Sequence, residues 1–263
     1  MQKRVRVRRD RPSALTWAVA LAVTMLAVYF VTLSAPAEKK TEDASAGVRV
    51  TRELEFAALT VHFADLGCHA DASAARIAAA AYVARGAAGV VYEDGAGFHV
   101  IGAGYALEAD AKRIAERLGR QEGIETGVLT LSAPGLSLRV TAPEEDAETI
   151  AGADRTLRTQ MEQLSTLALQ VDRGEVSAAS ARTLAKVSAA EVRAVRKRME
   201  SISGGADQPV CAAMTGMLRS LEENLSRVKG EGAELSGQLR CCHADCAVRL
   251  IAFLKNPSGR KFS

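Results

Sequence analysis

Cysteine and histidine are the residues of this chain whose spacing could do chemistry. Cys68-His69-Ala70-Asp71 recurs as Cys242-His243-Ala244-Asp245, with Cys241 and Cys246 beside the second copy and Cys211 upstream. Two Cys-His pairs offer four ligands of the kind zinc takes. Against this, neighbouring residues on a helix point about 100° apart and rarely chelate one ion. The five thiols are therefore read in three ways: buried free cysteines, a disulfide, or a metal site. Cys242 and Cys246, one helical turn apart, make poor partners for each other. A bridge from Cys211 to Cys241, Cys242 or Cys246 across two packed helices is the more reasonable disulfide.

Carboxylates offer less. Glu93/Asp94 fall in a turn, and Glu144/Glu145/Asp146 at a junction between two kinds of sequence, where loop and capping roles suit them better than acid–base catalysis. The chain has no Walker loop, dinucleotide fingerprint, Gly-x-Ser-x-Gly elbow or His-Glu-x-x-His. Gly102-Ala103-Gly104 does not complete a phosphate loop. The expectation is a non-enzyme with no cofactor, no catalytic residue and no metal ligand.

Charge is unevenly spread. Of 34 basic and 31 acidic residues, the first twelve positions hold six and one, which leaves 28 against 30. The basic balance thus reports the tail, and no nucleic-acid partner is expected. Residues 13–35 carry no charge, with Trp17 near one end and Tyr29 toward the other. At about 1.5 Å per residue they span a roughly 30 Å hydrocarbon core. They read as an uncleaved single-pass anchor, with residues 1–12 cytoplasmic and the rest extracytoplasmic. Ala35-Pro36-Ala37 loosely resembles a signal-peptidase site, but this apolar run exceeds the usual 7–15 residues of a cleaved signal. Residues 36–49 read as a short polar linker.

The elements that must position everything else begin at residue 50. Residues 97–119, GFHVIGAGYALEADAKRIAERLG, start as a strand and become an amphipathic helix with Leu107, Ala111, Ile114, Ala115 and Leu118 on one stripe. Gly102 and Gly104 are expected where the strand ends or bends. A second copy precedes it: Phe56 and Phe63 keep the spacing of Phe98 and Tyr105, and Ile77, Gly86 and Val91 that of Ile114, Gly123 and Val128. Extra residues in the first copy fall around 65–71. Two strand–helix–strand copies joined by a turn at residues 93–97 imply a four-stranded sheet with both helices on one face. A fifth strand is expected at residues 136–141. Alternation turns Phe56, Ala58, Phe98 and Val100 toward the helices, and Leu59, Val61, His99 and Ile101 toward the other face.

The paired β-α-β layout, the aromatic spacing and GFHVIGAGY…EADAKRIAERL resemble the SPOR (sporulation-related repeat) domain over residues 50–143. That resemblance implies binding of septal peptidoglycan, on glycan strands stripped of stem peptides, by the open face of the sheet. Leu59, His99, Ile101 and Tyr105 are the candidate glycan contacts. The first strand of the family often reads aromatic-x-Val-Gln-Val-Gly-x-Phe, whereas Leu59 stands here at the Gln position and Val61 at the Gly.

Residues 144–263 shift to Ala, Leu, Val, Arg and Glu with helical periodicity. Helices are expected at about 157–171, 184–202, 210–228 and 239–254, forming a hairpin or small bundle. The fold class expected is α+β: an N-terminal transmembrane helix, a SPOR-like sheet domain and a helical domain. Two functions fit. One is peptidoglycan binding in division or sporulation by a membrane-anchored, non-enzymatic envelope protein. The other is a structural adaptor whose helical half docks another envelope or divisome protein, with glycan binding lost. The apolar sheet face should be covered by the helical half.

Overall fold

The structure, a computed structural model, describes residues 49–202 and 208–257. The tail, anchor and linker expected at residues 1–48 lie outside the described residues, apart from Arg49. None of the described helices is long and apolar enough to cross a membrane. The described residues fall in one compact unit of α+β type.

Strands β1 (Arg49–Phe56), β2 (Leu59–His69), β3 (Val90–Glu93), β4 (Phe98–Tyr105), β5 (Gly127–Ala133) and β6 (Leu136–Pro143) make two antiparallel sheets among the described residues. The larger runs β3-β4-β2-β5. Helices α1 (Ala72–Val83) and α2 (Glu108–Glu122) cross between its strands, which gives the expected duplicated strand–helix–strand layout. Both helices lie on one face: Leu66 and Val100 share a core with Ala75 and Ala79 of α1, and Leu118 of α2 packs against it. The repeated glycines do the same work in each copy, since Gly86 and Gly123 both take positive φ just past a helix.

Two expectations about the first copy fail. Phe56 does not open the sheet strand. It ends β1, which pairs with β6 from Arg49↔Pro143 to Phe56↔Leu136. Its ring meets Phe253 edge-on at 5.6 Å, so it faces the helical half rather than α1 and α2. Ala58 is exposed at the step between the sheets, where Arg158 donates to the Ala57 carbonyl at 2.6 Å. The residues around 65–71 are not an insertion before the helix. They extend β2, which pairs with β4 from His62↔Tyr105 to His69↔Phe98, and the register shifts at Ala64/Asp65 and Asp65/Cys68 cancel over that length. Phe98 and Val100 do face α1, as expected.

Four helices follow: α3 (Glu144–Asp172), α4 (Ala178–Glu200), α5 (Pro209–Ser226) and α6 (Gly232–Lys255). Each packs on the next and α6 closes on α3, a four-helix bundle. Three acids fill the first turn of α3, where they complement the helix dipole. The first turns of α3 had no visible apolar period because Ala147, Ile150 and Ala153 bury mostly small side chains. Ser177 caps α4, and Pro209 opens α5.

The expected junction near Pro143 is where β6 becomes α3, yet packing continues across it. Val61, Phe63, Ile101 and Leu131 of the sheets share one core with Leu157, Leu218, Leu239 and Leu250 of the bundle. Helix α6 lies between sheet and bundle, buried on both sides, which is why its sequence reads apolar nearly all round.

Candidate functional site

The face of the large sheet turned away from α1 and α2 is where the candidate glycan contacts should gather. Alternation along β2 and β4 puts Val61 and Ile101 on this face, as expected, and Phe63 with them. It is not open. Helix α6 lies across it so closely that a Cβ built on Gly104 would stand 2.6 Å from Cε1 of His243 and 2.9 Å from Cε1 of Phe63. This explains why Gly102 and Gly104 sit inside β4 rather than ending it. Gly104 admits the His243 ring, and Gly102 lies under the Leu66 side chain, about 3.0 Å from where its own Cβ would be.

The four candidate contacts therefore do not form one exposed surface. Ile101 is fully buried. Leu59 is half-buried against the shared core. Together with Tyr105 it lines a crevice of about 340 Å³ between the sheet and α3, walled also by Arg158, Ser165 and His243. His99 lies away from that crevice, near the far end of β4. Its side chain is 12% exposed and clamped between carboxylates, with Nδ1 2.7 Å from Asp65 and Nε2 3.3 Å from Asp94. The Asp94 oxygen lies off the line of the ring N–H, so that contact acts through charge more than as a hydrogen bond.

Burial alone would lower the His99 pKa, but the hydrogen bond its ring donates to Asp65 and the charges of Asp65 and Asp94 raise it above the ordinary value. The backbone N–H groups of Ala96 and Gly97, with the imidazole, hold the Asp94 carboxyl below its own. An imidazole favoured in its charged form between two acids ties β2, β4 and the β3–β4 turn together. It has little capacity left to bind a sugar hydroxyl or to accept a proton.

The two Cys-His-Ala-Asp stretches do different jobs. In the first, Cys68 is exposed beside His99 across the β2–β4 pair. Asp71 caps α1 by accepting from the backbone of Ser73 and Ala74 at 2.9 and 2.8 Å. In the second, inside α6, Asp245 accepts from Ser220 and Asn224 of α5 at 2.9 and 3.1 Å and pairs with Arg249. That acid staples α6 to α5. All five cysteines are free, so the Cys211 bridge considered above does not form. Burial raises the thiols of Cys211, Cys241 and Cys242 and pushes Cys246 up to about 12, which leaves them inert. Among the described residues, no group of three His, Cys, Asp or Glu side chains is placed to hold a metal ion. Burial pulls His243 down to about 4, so the ring in the sheet–bundle interface is neutral.

Sequence reasoning missed a second cleft, of about 310 Å³, which opens between α1 and α2 and reaches the bundle at Arg240. The signal was present. The buried positions of α1 are Ala75 and Ala79, while its Ile77 is 71% exposed, so the helix turns only Tyr82 of its large side chains to that space. Compared with family models, with curated proteins and with solved structures, the chain matches none of them.

Proposed function

We propose that this chain is a membrane-anchored, non-enzymatic adaptor of the bacterial cell envelope. Its SPOR-like sheet serves as scaffold, and its helical half docks another envelope or divisome protein. One observation carries the choice of adaptor over glycan binder: the sheet face that would take a glycan strand is occupied by α6, with His243 seated on Gly104. Leu59 in place of the polar residue of the SPOR strand points the same way. Residues 13–35 supply the anchor in this reading, and the bundle's outer surface lies beyond the membrane.

The duplicated strand–helix–strand topology keeps peptidoglycan binding as the second reading, since that is the layout the SPOR resemblance implies. Glycan binding requires α6 to leave the sheet. Full-length protein in mild detergent, mixed with amidase-treated sacculi, distinguishes the two. The adaptor reading expects the protein to stay in the supernatant. It also expects a photo-crosslinker at Val187, exposed on α4, to capture one defined envelope protein in cells. Co-sedimentation with sacculi, weakened by His99→Ala, would replace it with the glycan reading.

A further inference from the structure

The cleft between α1 and α2 is open because of what the sequence omits there. The two helices barely touch. Ala64, Ala87, Gly102 and Ala103 line it with almost no side-chain volume, while Leu66 and Leu118 make its apolar wall. At about 310 Å³ it falls in the size range of small-molecule sites, roughly 300–1,000 Å³, which bind an apolar body and orient it with a few polar groups.

The charged groups at this cleft are mostly basic. Among the described residues, Arg85, Arg117 and Arg240 border it with one carboxylate, Asp172. That carboxylate is already paired with Arg240. Arg240 also donates to the Gly86 carbonyl at 2.6 Å, so its guanidinium is fixed between α6, the end of α3 and the loop after α1. Arg117, exposed on α2, donates to no partner among the described residues. Tyr82 and Tyr105 add ring surface. Burial raises the Tyr105 hydroxyl, against the pull of Arg240 and Arg117, so it stays a neutral donor.

We propose that this cleft binds a small amphipathic anion: an apolar body lying on the Ala64–Gly102 floor, with one carboxylate or phosphate group held by Arg117 beside the fixed Arg240. A guanidinium and an ionised oxygen make a charge-assisted hydrogen bond, stronger than a neutral one and suited to a partly dry site. The apolar floor excludes a purely polar anion, and the Arg117 guanidinium discriminates against a neutral apolar molecule. Because α6 supplies Arg240, the site rests on the reading in which α6 stays packed on the sheet.

The test uses the full chain in nanodiscs of zwitterionic lipid, with empty discs as blank. The probe is 8-anilinonaphthalene-1-sulfonate, itself an aromatic anion. One saturable site per chain is expected, and 4-phenylbutyrate and 4-phenylbutyl phosphate should displace the probe. The neutral 4-phenylbutan-1-ol and inorganic phosphate should each be at least tenfold weaker. Arg117→Glu should weaken the probe and both anions at least tenfold, while Arg113→Glu, exposed on the same helix outside the cleft, should leave them unchanged. Ile114→Trp, which fills the cleft without touching a charge, should also remove binding. Equal displacement by the neutral alcohol, displacement by inorganic phosphate alone, or unchanged binding in both Arg117→Glu and Ile114→Trp would overturn the proposal.

Discussion

The seating of His243 makes a quantitative prediction about acid stability. An unfolded histidine takes up a proton near pH 6.5, whereas burial holds the folded ring unprotonated down to about 4. Below pH 6.5 the unfolded chain therefore binds more protons than the folded one, and stability falls as pH falls until the folded ring also titrates. The full penalty is about 3 kcal/mol, and about 2 kcal/mol of it accrues between pH 7 and pH 5. His99 works in the opposite sense. Its folded pKa is raised, so its contribution is complete below the unfolded value and is lost as pH rises through the folded one. Wild type alone would mix the two, so the comparison is with His243→Leu, which keeps the bulk and removes the titration.

Urea unfolding of the full chain in nonionic detergent, followed by far-ultraviolet circular dichroism, reads the difference. Circular dichroism is the choice because the single tryptophan, Trp17, lies in the apolar N-terminal run. Whatever the substitution costs at pH 7, the loss between pH 7 and pH 5 should be about 2 kcal/mol smaller in the variant. Equal losses would mean that the folded ring meets water and that α6 does not sit on the sheet.

The same interface predicts that Gly104→Ala costs about 1–3 kcal/mol by overpacking. His243→Ala should relieve most of that, with a coupling above about 0.5 kcal/mol in a double-mutant cycle. Arg158→Ala leaves Asp154, 7% exposed, without its partner and frees the Ala57 carbonyl, so a loss of about 2–3 kcal/mol in the same unfolding assay is expected. Adding Asp154→Ala should return part of it. Maleimide should modify one thiol quickly in the folded chain, lost in Cys68→Ser, with Cys211, Cys242 and Cys246 reacting only after denaturation.

The sequence carried the second copy better than the first. Phe98, Val100 and the stripe of α2 had clear periods, and the structure keeps them except at Leu107, which is exposed at the helix cap. Phe56 misled because its aromatic spacing to Phe63 spans two strands, and spacing alone does not show a chain crossing between sheets at Ala57-Ala58. Pairing of β1 with β6 joins segments about ninety residues apart, which no local pattern reports. The cover on the sheet was legible as apolar residues at Val61 and Ile101 with no local partner. The cleft was legible only as missing bulk, in an alanine helix whose one isoleucine faces out. The carboxylates flanking His99 were unreadable because Asp65 reaches it through a bulge that shifts the register.

Helix α6, the last of the described helices, is the shared wall of sheet and bundle, which meet in one large core while the sheet keeps a smaller one under α1 and α2. During synthesis the strands and the first three bundle helices emerge before the element that dries them. Until α6 arrives, the sheet holds only its small core under α1 and α2, and the sides of both layers that meet α6 remain wet. The larger core thus closes in one late step that commits both layers together.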